Sequence, residues 1–115
     1  MYKFSYAEVL DDAPQASRAR EREALQHCIS LLRLADERGA QSREAIDALL
    51  FLRKLWTTLV EDLASPENDL PQVLRADLIS IGLWIMREAE DIRLERSNSF
   101  KDLIEVCEAI SEGLK

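Results

Sequence analysis

Glycine and proline are scarce, three of each in 115 residues. Sandwiches, barrels and disordered tails all draw heavily on turn residues, so the composition argues against them. The glycines Gly39, Gly82 and Gly113 are scattered singly and build no phosphate-cradling loop. There is one histidine, His27, and no ligand set or triad is patterned around it. A metal site needs three or four converging His, Cys or carboxylate ligands. His27 is next to Cys28, but neighbours on a helix point about 100° apart and do not form a nucleophile pair. The two cysteines, Cys28 and Cys107, make no CxxC motif and read as reduced core thiols rather than a disulfide. Basic residues number 15 against 22 acidic, a net charge of −7, which leaves no overall electrostatic footprint for nucleic acid. No apolar run approaches the ~20 residues of a membrane span. The opening Met1-Tyr2-Lys3-Phe4 has no apolar core of a secretion signal, so the chain reads as cytoplasmic. Catalysis, cofactors and metals find no support in these residues.

What the chain does have is 47% hydrophobic and 32% charged residues, the balance of a globular protein. At this length about two-thirds of the unfolded surface is buried on folding, enough for a core without metals or disulfides. Hydrophobic spacing predicts an all-α fold, an antiparallel four-helix bundle with helices near 16–38, 42–64, 70–96 and 99–113. A leader, residues 1–13, precedes it.

The first helix carries Leu25, Cys28, Ile29, Leu32 and Ala35 on one face and ends before Gly39, where a left-handed cap fits. The second opens at Ser42, a good N-cap, and its predicted buried stripe is Ile46, Leu49, Leu52, Trp56, Leu59, Val60 and Leu63. Phe51 and Leu55 fall off that stripe. Pro66 ends the helix.

The third helix has Pro71 in its first turn and a main stripe of Leu74, Leu78, Ile81, Ile85, Ala89 and Ile92. A second set, Ile79, Leu83 and Met86, repeats on the far side. Trp56 and Trp84 flank the inward stripes, so both are expected to be mostly buried. In the fourth helix, Ser99 and Asp102 have the spacing of a capping box, and Phe100, Leu103, Val106, Cys107, Ile110 and Leu114 form the stripe. Connections are short, so successive helices pack antiparallel.

The leader alternates Tyr2, Phe4 and Tyr6, as an extended strap would, while Ser5 and Glu8 are spaced to cap a short helix. Three of the seven aromatic residues lie there, so it is expected to dock on the bundle. Ile79, Leu83 and Met86, with Phe51 and Leu55, are more apolar than a four-helix core requires. Either the leader or the fourth helix covers them, or they bind a partner. With Tyr2, Phe4 and Tyr6 as a displaceable cover, these are the candidate partner-binding residues.

Three segments carry a family resemblance: YKFSYAEVL at Tyr2 to Leu10, SREAIDALLFLRKLW at Ser42 to Trp56, and EDLASPENDLPQVLRADLISIGLWIMREAEDI at Glu61 to Ile92. In order and content they resemble the FlaF family of flagellar biosynthesis proteins. The SPEN turn followed by ISIGLW is the most distinctive part, and Ala13 to Gln41 matches only in charge character and helical spacing. The resemblance implies a cytoplasmic, non-enzymatic protein of flagellated alphaproteobacteria, acting on flagellin as an export chaperone and working with a partner family, FlbT. It supplies no binding residue that transfers position by position. A second class stays open, a post-transcriptional regulator acting through FlbT or the flagellin message. The net charge of −7 favours protein over RNA as the direct partner.

Overall fold

The computed structural model describes residues 14–113, and their side chains from Ala19 onward. The leader, residues 1–13, with Tyr2, Phe4 and Tyr6, lies outside the described residues, as does Leu114. Four helices follow one another: α1 (Pro14–Arg38), α2 (Arg43–Ala64), α3 (Gln72–Arg93) and α4 (Phe100–Gly113). None is long and apolar enough to cross a membrane.

The connections are built from the residues that punctuate the sequence. Gly39 takes φ +102°, a conformation that costs glycine little, and its N–H donates to the Ala35 carbonyl at 2.8 Å. Ser42 then caps α2, its hydroxyl accepting the Ala45 N–H at 3.1 Å. Ser42→Ala is expected to cost about 1 kcal/mol in a chemical-denaturation titration, because that N–H loses its acceptor. After α2, Asn68 folds back on the helix. Its amide donates to both the carbonyl and the carboxylate of Asp62, each at 3.2 Å, and its side-chain oxygen accepts the Leu70 N–H at 3.0 Å. Arg75 reaches from α3 to the Ser65 carbonyl at 3.3 Å, a cation placed at the negative end of α2.

α3 is shorter than its predicted 70–96. Pro71 is the cap rather than part of the first turn, with extended ψ of 143°. At the other end Glu95 turns left-handed at φ 64°, and the Arg96 N–H closes back on the Asp91 carbonyl at 2.8 Å. α4 starts where the Asp102 N–H donates to the Ser99 carbonyl at 3.2 Å. The preceding turn is tied to α3 by the Ser97 hydroxyl, which donates to the Glu88 carboxylate at 2.9 Å.

Short connections make neighbours antiparallel, and the pairs in backbone contact are α1–α2, α2–α3, α1–α4 and, slightly, α3–α4. The core is drawn from all four helices, with Leu25, Leu32, Leu52, Trp56, Ile85, Ile92, Phe100 and Leu103 fully buried. Cys28 and Cys107 are buried with them and unbridged.

The stripe of α2 departs from its prediction at the edges. Ile46 is 54% exposed, whereas Ala45, Ala48 and Leu55 are buried and Val60 is half-buried. The reason is that α2 touches both α1 and α3, so its buried arc is wide and centres on Ala45, Leu52 and Leu59. The main stripe of α3 is buried only in its second half. Leu74 is exposed, and Leu78 and Ile81 are half-buried. With 14 residues against 22, α4 spans about 21 Å beside an α3 of about 33 Å, so it falls short of the first turns of α3. Trp84 packs against the core as expected, though less completely buried than Trp56.

Candidate functional site

A deep depression lies between α2 and α3, at the end of the bundle where α2 begins. It has a volume of about 750 Å³. Its position follows from one close contact. At Gly82 the two helices approach so tightly that a Cβ there would sit 2.7 Å from Val60 Cγ2 and 2.9 Å from Trp56 Cε3. Beyond this pinch the helices leave a groove with one wall from each.

The α2 wall is Ile46, Leu50, Arg53 and Thr57, which recur at four- and three-residue steps and so share a face. Ile46 and Leu50 are each more than half exposed. The α3 wall is Met86, Arg87, Glu90 and Arg93, and the buried Leu49 and Ala89 form the floor. Thr57 ties the walls together, its hydroxyl donating to Met86 Sδ at 3.6 Å. A groove of this make-up, apolar along its length and polar at its rim, suits the apolar face of a peptide or helix.

The charged rim is partly self-satisfied. Arg93 grips Glu90 through two hydrogen bonds, one of them Nε to Oε1 at 3.0 Å. That hydrogen bond, backed by the charges of Arg93, Arg53 and Arg96, holds the Glu90 carboxyl below the usual carboxylate range. Arg53 and Arg87 stand on opposite walls, and neither forms a hydrogen bond or ion pair among the described residues.

The sequence-predicted residues are distributed unevenly around this groove. Met86 lines it. Leu83, 50% exposed, precedes Met86 by one turn, and the half-buried Ile79 precedes Leu83 by another. Phe51 is not their facing wall. It sits at the α1–α2 seam, half-buried, with its ring edge-on to His27 of α1 at 5.0 Å and 87°. Leu55 is a core residue, 7% exposed. The facing wall is instead Ile46 and Leu50, which share one phase of α2 with Arg53 and Thr57.

Two other arrangements were candidates for chemistry. His27 contributes to no cluster of three or more metal-ligating side chains among the described residues. Cys28 and Cys107 are brought together across α1 and α4, where their mutual hydrogen bond and then burial push the Cys28 thiol up from its ordinary range. A shielded, protonated thiol is a poor nucleophile. The smaller depression between α1 and α4 is lined by Ile29 and Ser111 among others, and the Arg33–Glu108 ion pair lies across it.

Comparison with known protein families gives a match over nearly the whole chain: the family model of the flagellar protein FlaF covers residues 2–114. No curated protein and no solved structure matches.

Proposed function

Because the chain belongs to the FlaF family of flagellar proteins, we propose that it is a non-enzymatic cytoplasmic chaperone of flagellin, holding the subunit for export and supporting its synthesis together with FlbT. The observation that carries this reading is the α2–α3 groove, where Ile46 and Leu50 stay half exposed beside Met86, with the half-exposed Leu83 one turn before Met86 on the same helix. Large side chains left in water at adjoining positions are the mark of a surface completed by a partner. Methionine suits such a surface, since its flexible thioether adapts to related but non-identical sequences.

The test is capture of purified flagellin monomer by the full chain, followed by calorimetry. Leu50→Asp and Leu83→Asp change exposed positions, so helical content by circular dichroism should stay at the wild-type level. Each should weaken flagellin binding at least tenfold, and Met86→Asp should do the same if it remains folded. A folded Leu50→Asp, Leu83→Asp double variant that captures flagellin with unchanged affinity would remove the groove from the mechanism. Replacing Tyr2, Phe4 and Tyr6 with serine should raise flagellin affinity if the leader competes for the groove, and lower it if the leader clamps the ligand.

In a parallel arm, the protein at low salt should bind flagellin leader RNA no better than an unrelated RNA, given its acidic balance. Specific sub-micromolar RNA binding would favour regulation of the message over chaperoning.

A further inference from the structure

The groove carries information about its occupant beyond being apolar. Its walls are two helices whose backbone groups are already hydrogen-bonded internally, and no sheet edge exists among the described residues. A strand laid there would find no backbone partners, so the occupant must satisfy its own N–H and C=O groups, as a helix does. The α2 wall from Ile46 to Thr57 covers about three helical turns. That length accepts anchors at i, i+3 or i+4, and i+7 from an amphipathic helix lying along the groove.

The rim specifies charge. The chain as a whole is at −7, yet the groove lining holds Arg53, Arg87 and Arg93 against the single acid Glu90. Glu90 is committed to Arg93. The nearby acids are also engaged, Asp47 with Arg43 and Asp91 with Arg96, each at 3.8 Å. Arg53 on one wall, which acts on Glu90 only through space, and Arg87 on the other are thus left outside any ion pair and give the apolar trough a net positive rim on both sides. By contrast, Arg33 beside the α1–α4 depression is already paired with Glu108.

We propose that the α2–α3 groove receives an amphipathic helix whose apolar stripe is flanked on both sides by carboxylates, one flank meeting Arg53 and the other Arg87. This rests on the docking reading above and deepens it, by fixing both the conformation and the charge of the segment bound. Apolar contact supplies the affinity, and the two arginines select the partner and its rotational setting. The expected sign is opposite to that of non-specific attraction, because an acidic protein taken as a whole draws basic peptides.

The experiment uses the full chain and two labelled 18-residue helical peptides with the same leucine stripe, one flanked by glutamate and the other by lysine. Fluorescence anisotropy at 50 mM salt should give the glutamate peptide at least a tenfold lower Kd. The gap should narrow at 500 mM salt, where exposed charges are screened. The Arg53→Glu, Arg87→Glu double variant should reverse the preference, and Leu50→Asp should weaken both peptides.

Equal affinities, or a preference that survives the double charge reversal, would overturn the proposal. If flagellin capture is then still lost in Leu50→Asp, the docking reading stands and only the acidic flank falls. If neither peptide binds and Leu50→Asp captures flagellin normally, both fall together. A dimer of the protein in sedimentation equilibrium, dissolved by Leu50→Asp, would assign the groove to a second copy and overturn the proposal as well.

Discussion

Trp56→Ala is expected to cost about 3–5 kcal/mol, a large share of the 5–15 kcal/mol by which domains of this kind are stable. The side chain is 1% exposed, and its ring edge lies against Gly82 of α3 while its helix faces α1. Removing it empties the place where three helices meet, and three backbones cannot all close on the void. Its buried indole N–H meets no oxygen or nitrogen acceptor, and the Cys107 sulfur is the polar group it acts on, so the ring contributes chiefly through volume. Trp56→Phe should accordingly be much milder, since it keeps most of the volume and gives up at most a weak contact of the N–H with sulfur.

Trp84 gives the internal comparison. It packs at the edge of the core and is less completely buried than Trp56, so Trp84→Ala should cost less, about 1–2 kcal/mol. Each variant retains one tryptophan, so urea unfolding of both is followed by fluorescence and checked by circular dichroism. If Trp84→Ala proved as costly as Trp56→Ala, the centre of the bundle would have to be placed nearer α3.

The contrast between the two tryptophans shows where sequence reading succeeds and where it stops. Helix ends were legible because single residues decide them: Gly39 for a left-handed cap, Ser42 for an orphan N–H, Pro66 for a forced break. The stripe of α4 was legible in part: Phe100, Leu103 and Cys107 are buried as expected, Val106 and Ile110 are half-buried, and the buried Ile104 was not in it. In α2, however, Ala45 to Leu52 holds seven apolar residues out of eight. Periodicity cannot fix the edges of the buried face in such a run: Leu49, Leu52, Trp56, Leu59 and Leu63 are buried as expected, but Ile46 was placed inside and Leu55 outside. What sets those edges is having α1 on one side and α3 on the other, a tertiary fact.

The same limit governs the groove. Met86 and Leu83 were legible as surplus apolar residues on the far side of α3. Leu50 was hidden in the apolar run of α2, and its only sequence signal was a shared face with Ile46, Arg53 and Thr57. Arg53 and Arg87 are unremarkable alone. They become a pair of rims only when the α2–α3 register is fixed. The approach of Cys28 to Cys107 was likewise invisible, because it depends on α4 lying beside α1 rather than on any spacing in the chain.

That register rests on Gly82, and its substitution gives the second large expected effect. On an exposed helix, Gly→Ala gains about 1 kcal/mol from backbone entropy and propensity. Here the added methyl would stand 2.7 Å from Val60 Cγ2 and 2.9 Å from Trp56 Cε3. Neither neighbour can yield easily. A helical valine is held to one dominant rotamer, and the Trp56 ring is packed on all sides. Overpacking of this kind costs about 1–3 kcal/mol, so Gly82→Ala should lower the unfolding free energy despite its better propensity. Gly82→Leu, with three further carbons to place, should cost more and force α2 and α3 apart. Because the groove begins where these helices separate, the same substitutions should also weaken capture of flagellin, while Ser42→Ala, which lowers stability by capping alone, should leave capture unchanged. Gly82→Ala with a raised Tm would mean that the helices can part without loss, and the α2–α3 contact would then not be what shapes the groove.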